Sequence, residues 1–482
     1  MAIRVYNSLT RGKEDLQPIE PGRLGIYICG PTVYSHSHIG HAKSYVGFDV
    51  IVKWLRASGL KVRYVQNITD VGHLTDDADQ GEDKIEKRAR LDLVHPLELV
   101  DMYMFSYLDD MRALGVADPN MYVRATQHIP EQIELTAKLI ERGHAYESGG
   151  NVYFDVASWP DYGCLSGRDT EEQLEGTRVE VRSDKRSPKD FALWKTAEGT
   201  GHILRWSSPW GSGYPGWHIE CSAMSMKYLG ETFDIHGGGM DNKFPHHECE
   251  IAQSRAATGG GFAKVWLHNN MIMVDGRKMS KSLGNSVTIK DSLRDFAPEA
   301  IRLFLVSTHY GRLSNYTREG LESATGGVAR LAETIAQLEK QALTAAEGAG
   351  DAALLLAAEE AERAFSAAMN DDFNTPEAVA AIFGFVRAAN GASTAGIGNR
   401  AATAAKAFLE SRAGAVLGIL PGKKAGAADA GFGEGLMGVL IELRKALREQ
   451  KLFALADLLR DRLAALGVTI KDQKDGATWT RS

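Results

Sequence analysis

Cysteine is scarce in this chain, with four residues among 482, at positions 29, 164, 221 and 249. No apolar leader opens it, since Met1-Ala2-Ile3-Arg4-Val5-Tyr6 lacks the features of a signal peptide. So few, irregularly spaced thiols exclude a disulfide framework and leave free thiols or metal ligands. Long hydrophobic runs are missing too, so no membrane contact is expected and the chain reads as cytoplasmic. No charge of one sign dominates: 55 Lys and Arg face 62 Asp and Glu, a net −7, which gives no global nucleic-acid footprint. The exception is the last stretch, 438–482, where nine basic residues outnumber six acidic ones. A solvated helix face explains that imbalance as well as a polyanion contact does. No internal repeat is present, and the length calls for about two to four domains.

What is present begins with a β-α-β pattern. Leu24–Ile28 is a short apolar strand ending at Cys29-Gly30-Pro31. A helix is expected from about His41 to Ala57, with Tyr45, Phe48, Ile51, Val52 and Leu55 on one side. Gly59 ends it, and Lys61–Ile68 reads as a strand parallel to the first. Residues 120–200 read as an insertion with a helix near Glu131–Arg142 and a strand at Asn151–Asp155. The parallel pattern resumes with a strand at Thr232–His236, a helix from about Pro245 to Ala257 and a strand at Met271–Val274. Beyond Asn285 the chain reads as helical, rich in Ala and Leu, with a linker at Pro421–Gly426.

Two short segments carry phosphate chemistry. His38-Ile39-Gly40-His41 falls at a helix N-terminus, where unpaired N–H groups and the helix dipole favour an anion. Gly30 turns the chain off the strand, and Gly40 leaves its backbone open to a flat base. Two imidazoles three apart can donate to phosphate oxygens; structural or metal-binding histidines are the competing reading. Lys278-Met279-Ser280-Lys281-Ser282 sits in a glycine-bounded loop, suited to closing on a departing pyrophosphate, or else is a solvated basic turn. Together they favour ATP, with Mg2+, over either bland alternative.

A second group is suited to a metal. Cys29 ends the first strand, Cys221 lies in Gly216–Ser222, and helical spacing puts His246 and Glu250 on one face. Two thiolates, an imidazole and a carboxylate form a plausible zinc set; buried cysteines with a surface His and Glu are the alternative.

The paired phosphate motifs resemble those of class I aminoacyl-tRNA synthetases. Cys29–Tyr34, Gly216–Ser222, His236–Gly239 and Phe244–Glu250 closely resemble the cysteinyl-tRNA synthetase family, and the similarity runs nearly end to end. The resemblance implies an α/β, Rossmann-like parallel-sheet catalytic domain (1–120 and 206–290, interrupted by a connective segment at 121–205). A helical region (291–345), a tRNA-binding bundle (346–420), a linker (421–436) and an anticodon-binding tail (437–482) are implied to follow. It further implies that L-cysteine and ATP give cysteinyl-adenylate, that the acyl group passes to tRNA(Cys), and that one Zn2+ per chain binds the substrate thiolate. His38, His41, Lys278 and Lys281 would be catalytic, and Cys29, Cys221, His246 and Glu250 would hold zinc. Gly30, Gly40, His236, Gly237, Gly238 and Lys281 would bind ATP, and Thr69, Trp217 and Asp241 the cysteine. Phe453, Asp457, Asp472 and Trp479 match anticodon contacts, near the basic residues Arg444, Lys445, Arg448 and Lys451. His236 with Gly237–Gly239 reads as a turn at a strand edge.

Two features depart from that pattern. Cys249 stands where many relatives carry a polar amide, and helical geometry turns it about a quarter-turn from Glu250, which makes it a bystander. The acidic segment 71–82 is longer than in many relatives and has no assigned role. A cysteine ligase of the mycothiol-pathway type and an inactive tRNA-binding paralogue are the rival readings. The basic C-terminal region argues against the first, and the intact phosphate motifs against the second. A monomer is the default expectation.

Overall fold

The computed structural model describes residues 2–72, 84–167, 184–197, 203–280, 284–343, 347–421, 427–465, 468–473 and 476–481. Lys281, Ser282 and most of the acidic 71–82 segment lie outside these residues. The chain divides into two units, residues 1–420 and 421–482.

The first unit opens with an antiparallel ribbon of β1 (Arg4–Asn7) and β2 (Gly12–Asp15). Strand β3 (Arg23–Ile28) follows, then helix α1 (Ile39–Ala57), then β4 (Lys61–Ile68), which lies parallel to β3. All five residues expected on the inner face of α1 are buried, Tyr45, Phe48, Ile51, Val52 and Leu55. After α2 (Lys84–Asp92), helix α3 (Pro96–Ala113) adds Leu99, Val100 and Tyr103 to the same core. Strand β5 (Met121–Arg124) then pairs with β4, so the main sheet extends just past the expected boundary at 120.

Helix α4 (Ile129–Glu141) leads to a separate sheet that the sequence reading reduced to one strand. Its members are β6 (Ala145–Ser148), β7 (Asn151–Phe154), β8 (Phe191–Thr196), β9 (Trp206–Ser208) and β10 (Gly211–Pro215), all antiparallel. The reason is physical. Five of the six residues of β8 are buried, so it lacks the alternation that marks a half-exposed strand, and β9 is too short to show a period.

The chain then rejoins the main sheet. Helix α5 (Trp217–Leu229) precedes β11 (Phe233–Gly239), and a wide helical turn at Lys243–His247 feeds α6 (Glu248–Thr258) and β12 (Ala263–Asn269). The parallel order is β12-β11-β3-β4-β5. One core, with α1 and α3, contains Ile26 and Ile28 of β3; the other, with α5 and α6, contains Tyr27. Alternate residues of one strand therefore serve opposite layers.

Next come β13 (Ile272–Val274), β14 (Arg277–Lys278), α7 (Ile289–Asp295), α8 (Pro298–Val306) and β15 (Ser314–Tyr316). Strands β14, β13 and β15 form a small sheet within the region that composition reads as helical. The helices α9 (Arg318–Ala342), α10 (Asp351–Asn370), α11 (Thr375–Thr394) and α12 (Asn399–Leu409) complete the unit. Among the described residues, no helix is long and apolar enough to cross a membrane.

A buried charge group ties three parts of this unit together. Arg302 on α8 is 1% exposed and donates to Asp49 Oδ2 of α1 at 2.7 Å, to Leu417 O at 2.9 Å and to Leu114 O at 3.1 Å. Without Arg302, Asp49 keeps Lys53 at 2.7 Å, but the carbonyls of Leu114 and Leu417 lose their Arg302 donors. Arg302→Met is expected to cost about 1–3 kcal/mol for each buried carbonyl left without a donor. Denaturant titration of the variant against wild type checks this.

The second unit contains α13 (Ala427–Glu449), α14 (Phe453–Ala465) and a hairpin of β16 (Val468–Gln473) and β17 (Gly476–Arg481). Helix α13 begins inside the stretch that reads as linker, because its alanines favour helix despite the interspersed glycines. The expectation of helices alone also misses the hairpin.

Candidate active site

The two imidazoles of His38-Ile39-Gly40-His41 organise the start of α1. His38 is the N-cap, its Nδ1 accepting from Gly40 N at 3.1 Å, while His41 Nδ1 accepts from His38 N at 3.1 Å. This reciprocal arrangement is a capping box built from histidines, with the rings stacked at 3.9 Å. Because each Nδ1 is an acceptor, each neutral ring carries its proton on Nε2. Both side chains therefore direct a donor nitrogen away from the backbone at the positive end of a helix.

The second motif meets the first. Ile39 N donates to Val287 O at 3.0 Å, and Ile289 N donates to Ser37 O at 2.9 Å. A Cβ added to Gly40 would lie 3.4 Å from Met279 Cε. Lys278 ends β14 with its side chain exposed, and Asn285 holds the loop by accepting from Ser280 N at 2.9 Å and donating to Lys278 O at 3.2 Å.

The four expected metal ligands converge as well. The donor atoms of Cys29, Cys221, His246 and Glu250 lie within 4.8 Å of one another, and all four residues are buried. Cys29 Sγ is 3.9 Å from both Cys221 Sγ and Glu250 Oε1, and His246 Nε2 is 3.1 Å from Glu250 Oε1. A tetrahedron with metal–ligand bonds of 2.0–2.3 Å has edges of roughly 3.3–3.8 Å. The edges of 3.1–3.9 Å lie within a few tenths of an ångström of that range, so the donor set is compatible with a small divalent ion. Cys29, Glu250, His236 and His247 form an overlapping group, but the first set holds two sulfurs and suits zinc better.

Electrostatics support the same set. Burial would raise Glu250, yet His236 and His246 hold it at about 2. Burial likewise opposes charge on His246, and Glu250 with Cys221 lifts it to about 10. Burial opposes ionisation of both thiols; a bond from Cys29 and the His246 cation leave Cys221 below its ordinary value, and Cys29 stays above. In metal-free protein the Glu250 contribution is present above its unfolded value of 4.5 and lost as pH falls toward 2. That of His246 is present below 6.5 and lost as pH rises toward 10. The difference in thermal midpoint between metal-free wild type and Glu250→Gln should therefore be largest between pH 4.5 and 6.5, shrinking on both sides.

Sequence reasoning missed the histidines around this group. His218 Nδ1 lies 3.0 Å from His246 Nδ1 and so orients the ring. His247 Nε2 lies 3.3 Å from Cys29 Sγ, its Nδ1 meets His268 Nε2 at 2.8 Å, and His268 Nδ1 meets Ser8 Oγ at 2.8 Å. The signal that could have found two of them is adjacency, since His247 and His218 lie inside the segments Phe244–Glu250 and Gly216–Ser222 that carry the ligands.

His236 and the glycines correct an expectation. They are not a turn: they are the last four residues of β11, paired with β12 from Trp266 to Asn269. His236 is fully buried, with Nε2 2.9 Å from Glu250 Oε2, so it supports the carboxylate and offers no surface to adenosine. A Cβ on Gly237 would strike Ile28 and Phe48 at 2.6 Å, which makes that glycine a packing requirement. Gly30 is stricter, since a Cβ there would lie 1.5 Å from Asn67 O.

The expected cysteine-pocket residues are close to this cluster. Trp217 is half-buried with its ring 4.5 Å from that of His246. Thr69 is buried and donates to Glu220 Oε2 at 3.1 Å, and Asp241 is exposed beside Gly239. Cys249 is outside the metal group, its Sγ 3.3 Å from the Tyr162 hydroxyl. Cys249→Ser should leave the metal content, read by elemental analysis, at the wild-type level.

In the second unit, Phe453 and Asp457 are exposed on α14, and Asp457 lies 3.4 Å from Arg460. Trp479 on β17 is opposite Ile470 and packs against Met437, Leu463 and Val468, while Asp472 pairs with Ala477. Arg444 departs from the expected basic stripe. It is 5% exposed, on the face of α13 that also buries Met437, whereas Lys445, Arg448 and Lys451 are exposed.

Comparison with known proteins decides the family. Residues 15–326 match the family described as tRNA synthetases class I (C) catalytic domain, and residues 364–421 match the DALR domain. The cysteine–tRNA ligase of Chlorobaculum tepidum is 53% identical, over 100% of this chain and 99% of its own length. That of Deinococcus radiodurans is 51% identical, over 99% and 97%. The chain belongs to the cysteine–tRNA ligase family of class I aminoacyl-tRNA synthetases. Its activity is accordingly ATP-dependent ligation of cysteine to tRNA. Among solved structures, methionyl-tRNA synthetase of Mycobacterium tuberculosis with methionyl-adenylate superimposes with a TM-score of 0.58. At 15% identity over 82% of this chain and 89% of that one, it supports the synthetase fold.

Proposed function

We propose that the ligase runs its first step between the His38–His41 helix end and the Lys278 loop, with zinc selecting the substrate by its sulfur. One observation carries this reading: Tyr45, one turn beyond His41, donates to Cys29 O at 3.3 Å, so phosphate and metal sites share one strand end. A carboxylate oxygen of L-cysteine attacks the α-phosphorus of ATP. The new oxygen–phosphorus bond forms as the bond to the β-phosphate oxygen breaks, and pyrophosphate leaves.

Each residue then has a task. The Nε2–H groups of His38 and His41 donate to the phosphate oxygens as charge shifts, and the N–H groups of α1 add their dipoles. Lys278 and Lys281 neutralise the departing pyrophosphate, and Mg2+ would supply further positive charge there. Zn2+ held by Cys29, Cys221, His246 and Glu250 would take the substrate thiolate as a further ligand, which a serine hydroxyl replaces poorly. Trp217 walls the small side chain, Thr69 lines the pocket, and Asp241 meets the ammonium. Gly40 leaves the helix end open to the nucleotide, with Gly30, Gly237 and Gly238 letting the strand ends pack closely beneath. The ribose hydroxyl of the terminal adenosine of tRNA(Cys) next attacks the carbonyl carbon, and AMP departs. Phe453, Asp457, Asp472 and Trp479 contact the anticodon, and the enzyme acts as a cytoplasmic monomer.

Cysteine-dependent pyrophosphate exchange, followed by transfer assays with tRNA(Cys) and with glucosaminyl-inositol, tests the proposal. Exchange with transfer to tRNA(Cys) is expected, and transfer to the sugar alone would overturn it.

A further inference from the structure

Lys43 lies two residues beyond His41 on α1 and is 4% exposed. Among the described residues it makes no ion pair with a carboxylate. Its ammonium instead donates to two backbone carbonyls, Met271 O at 2.9 Å and Arg312 O. Burial without a counter-charge pushes it down to about 8. A buried cation in neutral surroundings is costly, and such local violations of packing rules cluster where function requires them.

The two carbonyls identify the requirement. Met271 immediately precedes β13, Arg312 comes two residues before β15, and the strands run parallel with Ile272 opposite Ser314. Strand β13 turns into β14, which carries Lys278. Lys43 therefore holds the entering ends of both strands, one of which pairs with β14 and its Lys278. The neighbouring Ser44 Oγ donates to Asn269 Oδ1 at 2.7 Å, fixing the end of β12 to the same helix turn. From the other side, Asp372 accepts from the Tyr310 hydroxyl at 2.8 Å, and His309 Nε2 meets Asp372 O at 2.8 Å. The 309–312 loop is thus held on both flanks, and the Lys43 hydrogen bond ties it to the helix of the two histidines.

We propose that Lys43 is a positioning residue that sets the Lys278 loop at its working distance from His38 and His41 for adenylate formation. This rests on the reading that those three residues face the phosphates. The ammonium touches neither ATP nor cysteine. It supplies charge-assisted bonds to two carbonyls that no neutral side chain of similar length provides.

The test uses the full chain carrying Lys43→Met or Lys43→Arg. Lys43→Met is expected to lower kcat for pyrophosphate exchange by roughly 10- to 100-fold, since misplacement of about 1 Å can cost that much. The KM for ATP should rise while the KM for cysteine stays level, and Lys43→Arg should recover most of the loss. Transfer from preformed cysteinyl-adenylate to tRNA should stay within about twofold, because pyrophosphate has already left. Exchange by Lys43→Met within about twofold of wild type overturns the inference, as does an equal loss in exchange, transfer and cysteine binding. If Lys43→Met does not fold, Lys43→Gln, which keeps a donor without the charge, is read by the same criteria. Lys278→Ala runs in parallel: unchanged exchange there would overturn the phosphate reading itself, whereas its loss beside an unaffected Lys43→Met sinks the Lys43 inference alone.

Discussion

Cys29→Ser should empty the metal site and cut the preference for cysteine over serine to what the pocket alone supplies. The substituted hydroxyl is a poor zinc ligand at neutral pH, and the residue is buried, 7% exposed. Loss of even an outer partner of a metal ligand weakens binding by about 10- to 100-fold, so loss of a direct sulfur should exceed that. Bound zinc should fall from one per chain to near zero by elemental analysis, a readout independent of activity. Cysteine-dependent exchange should fall by about a thousandfold or more, corresponding to ~4 kcal/mol. What remains should discriminate against serine only as far as pocket contacts allow, on the order of a hundredfold. A Cys29→Ser protein that keeps stoichiometric zinc and full selectivity would show that sulfur recognition lies elsewhere.

That prediction depends on residues separated by more than 200 positions, yet its members were legible from the sequence. Cys29 follows a strand, Cys221 lies on a helix, and the four-residue spacing of His246 and Glu250 fixes their shared face. What the sequence could not supply is distance. A thiol count does not reveal that β3, α5 and α6 bring three elements to one point. The surrounding histidines were missed for a related reason. His218, His247 and His268 bond to side chains from other elements, and no local period announces a partner that comes from elsewhere in the fold.

The phosphate motifs taught a different lesson. Their helix-end position was readable from the break at Gly30-Pro31, but the capping box of His38 and His41 was not, because histidine is not among the favoured N-cap residues. Conversely, His236–Gly239 invited a turn by composition. Gly237 answers to Phe48 and Ile28 and Gly238 to His247, tertiary demands that override local preference. Arg444 shows the same override, since this basic residue of a basic helix is buried while its neighbours Lys445 and Arg448 are exposed. The second sheet was illegible because its strands are short or mostly buried, and the parallel sheet was legible because its helices and strands alternate at regular spacing.

The capping box separates structure from chemistry at His38, and His38→Asn exploits it. Asparagine is a strong N-cap whose side-chain oxygen can accept from the same backbone donor, so α1 should start where it does now. Its thermal midpoint should match that of wild type. The substitution nevertheless removes the Nε2–H that the capped ring directs outward, and the shorter amide does not reach the same point. Deleting one preorganised donor to developing charge typically costs about 10²–10³ in kcat, or ~2.7–4 kcal/mol. Pyrophosphate exchange should fall by that amount while cysteine binding and zinc content stay unchanged. His38→Ala loses both roles and should add about 1 kcal/mol of destabilisation to a similar kinetic defect. If His38→Asn exchanges pyrophosphate at the wild-type rate, the imidazole serves only the helix end, and the charge on the transferring phosphate must be met by His41 and the lysine loop.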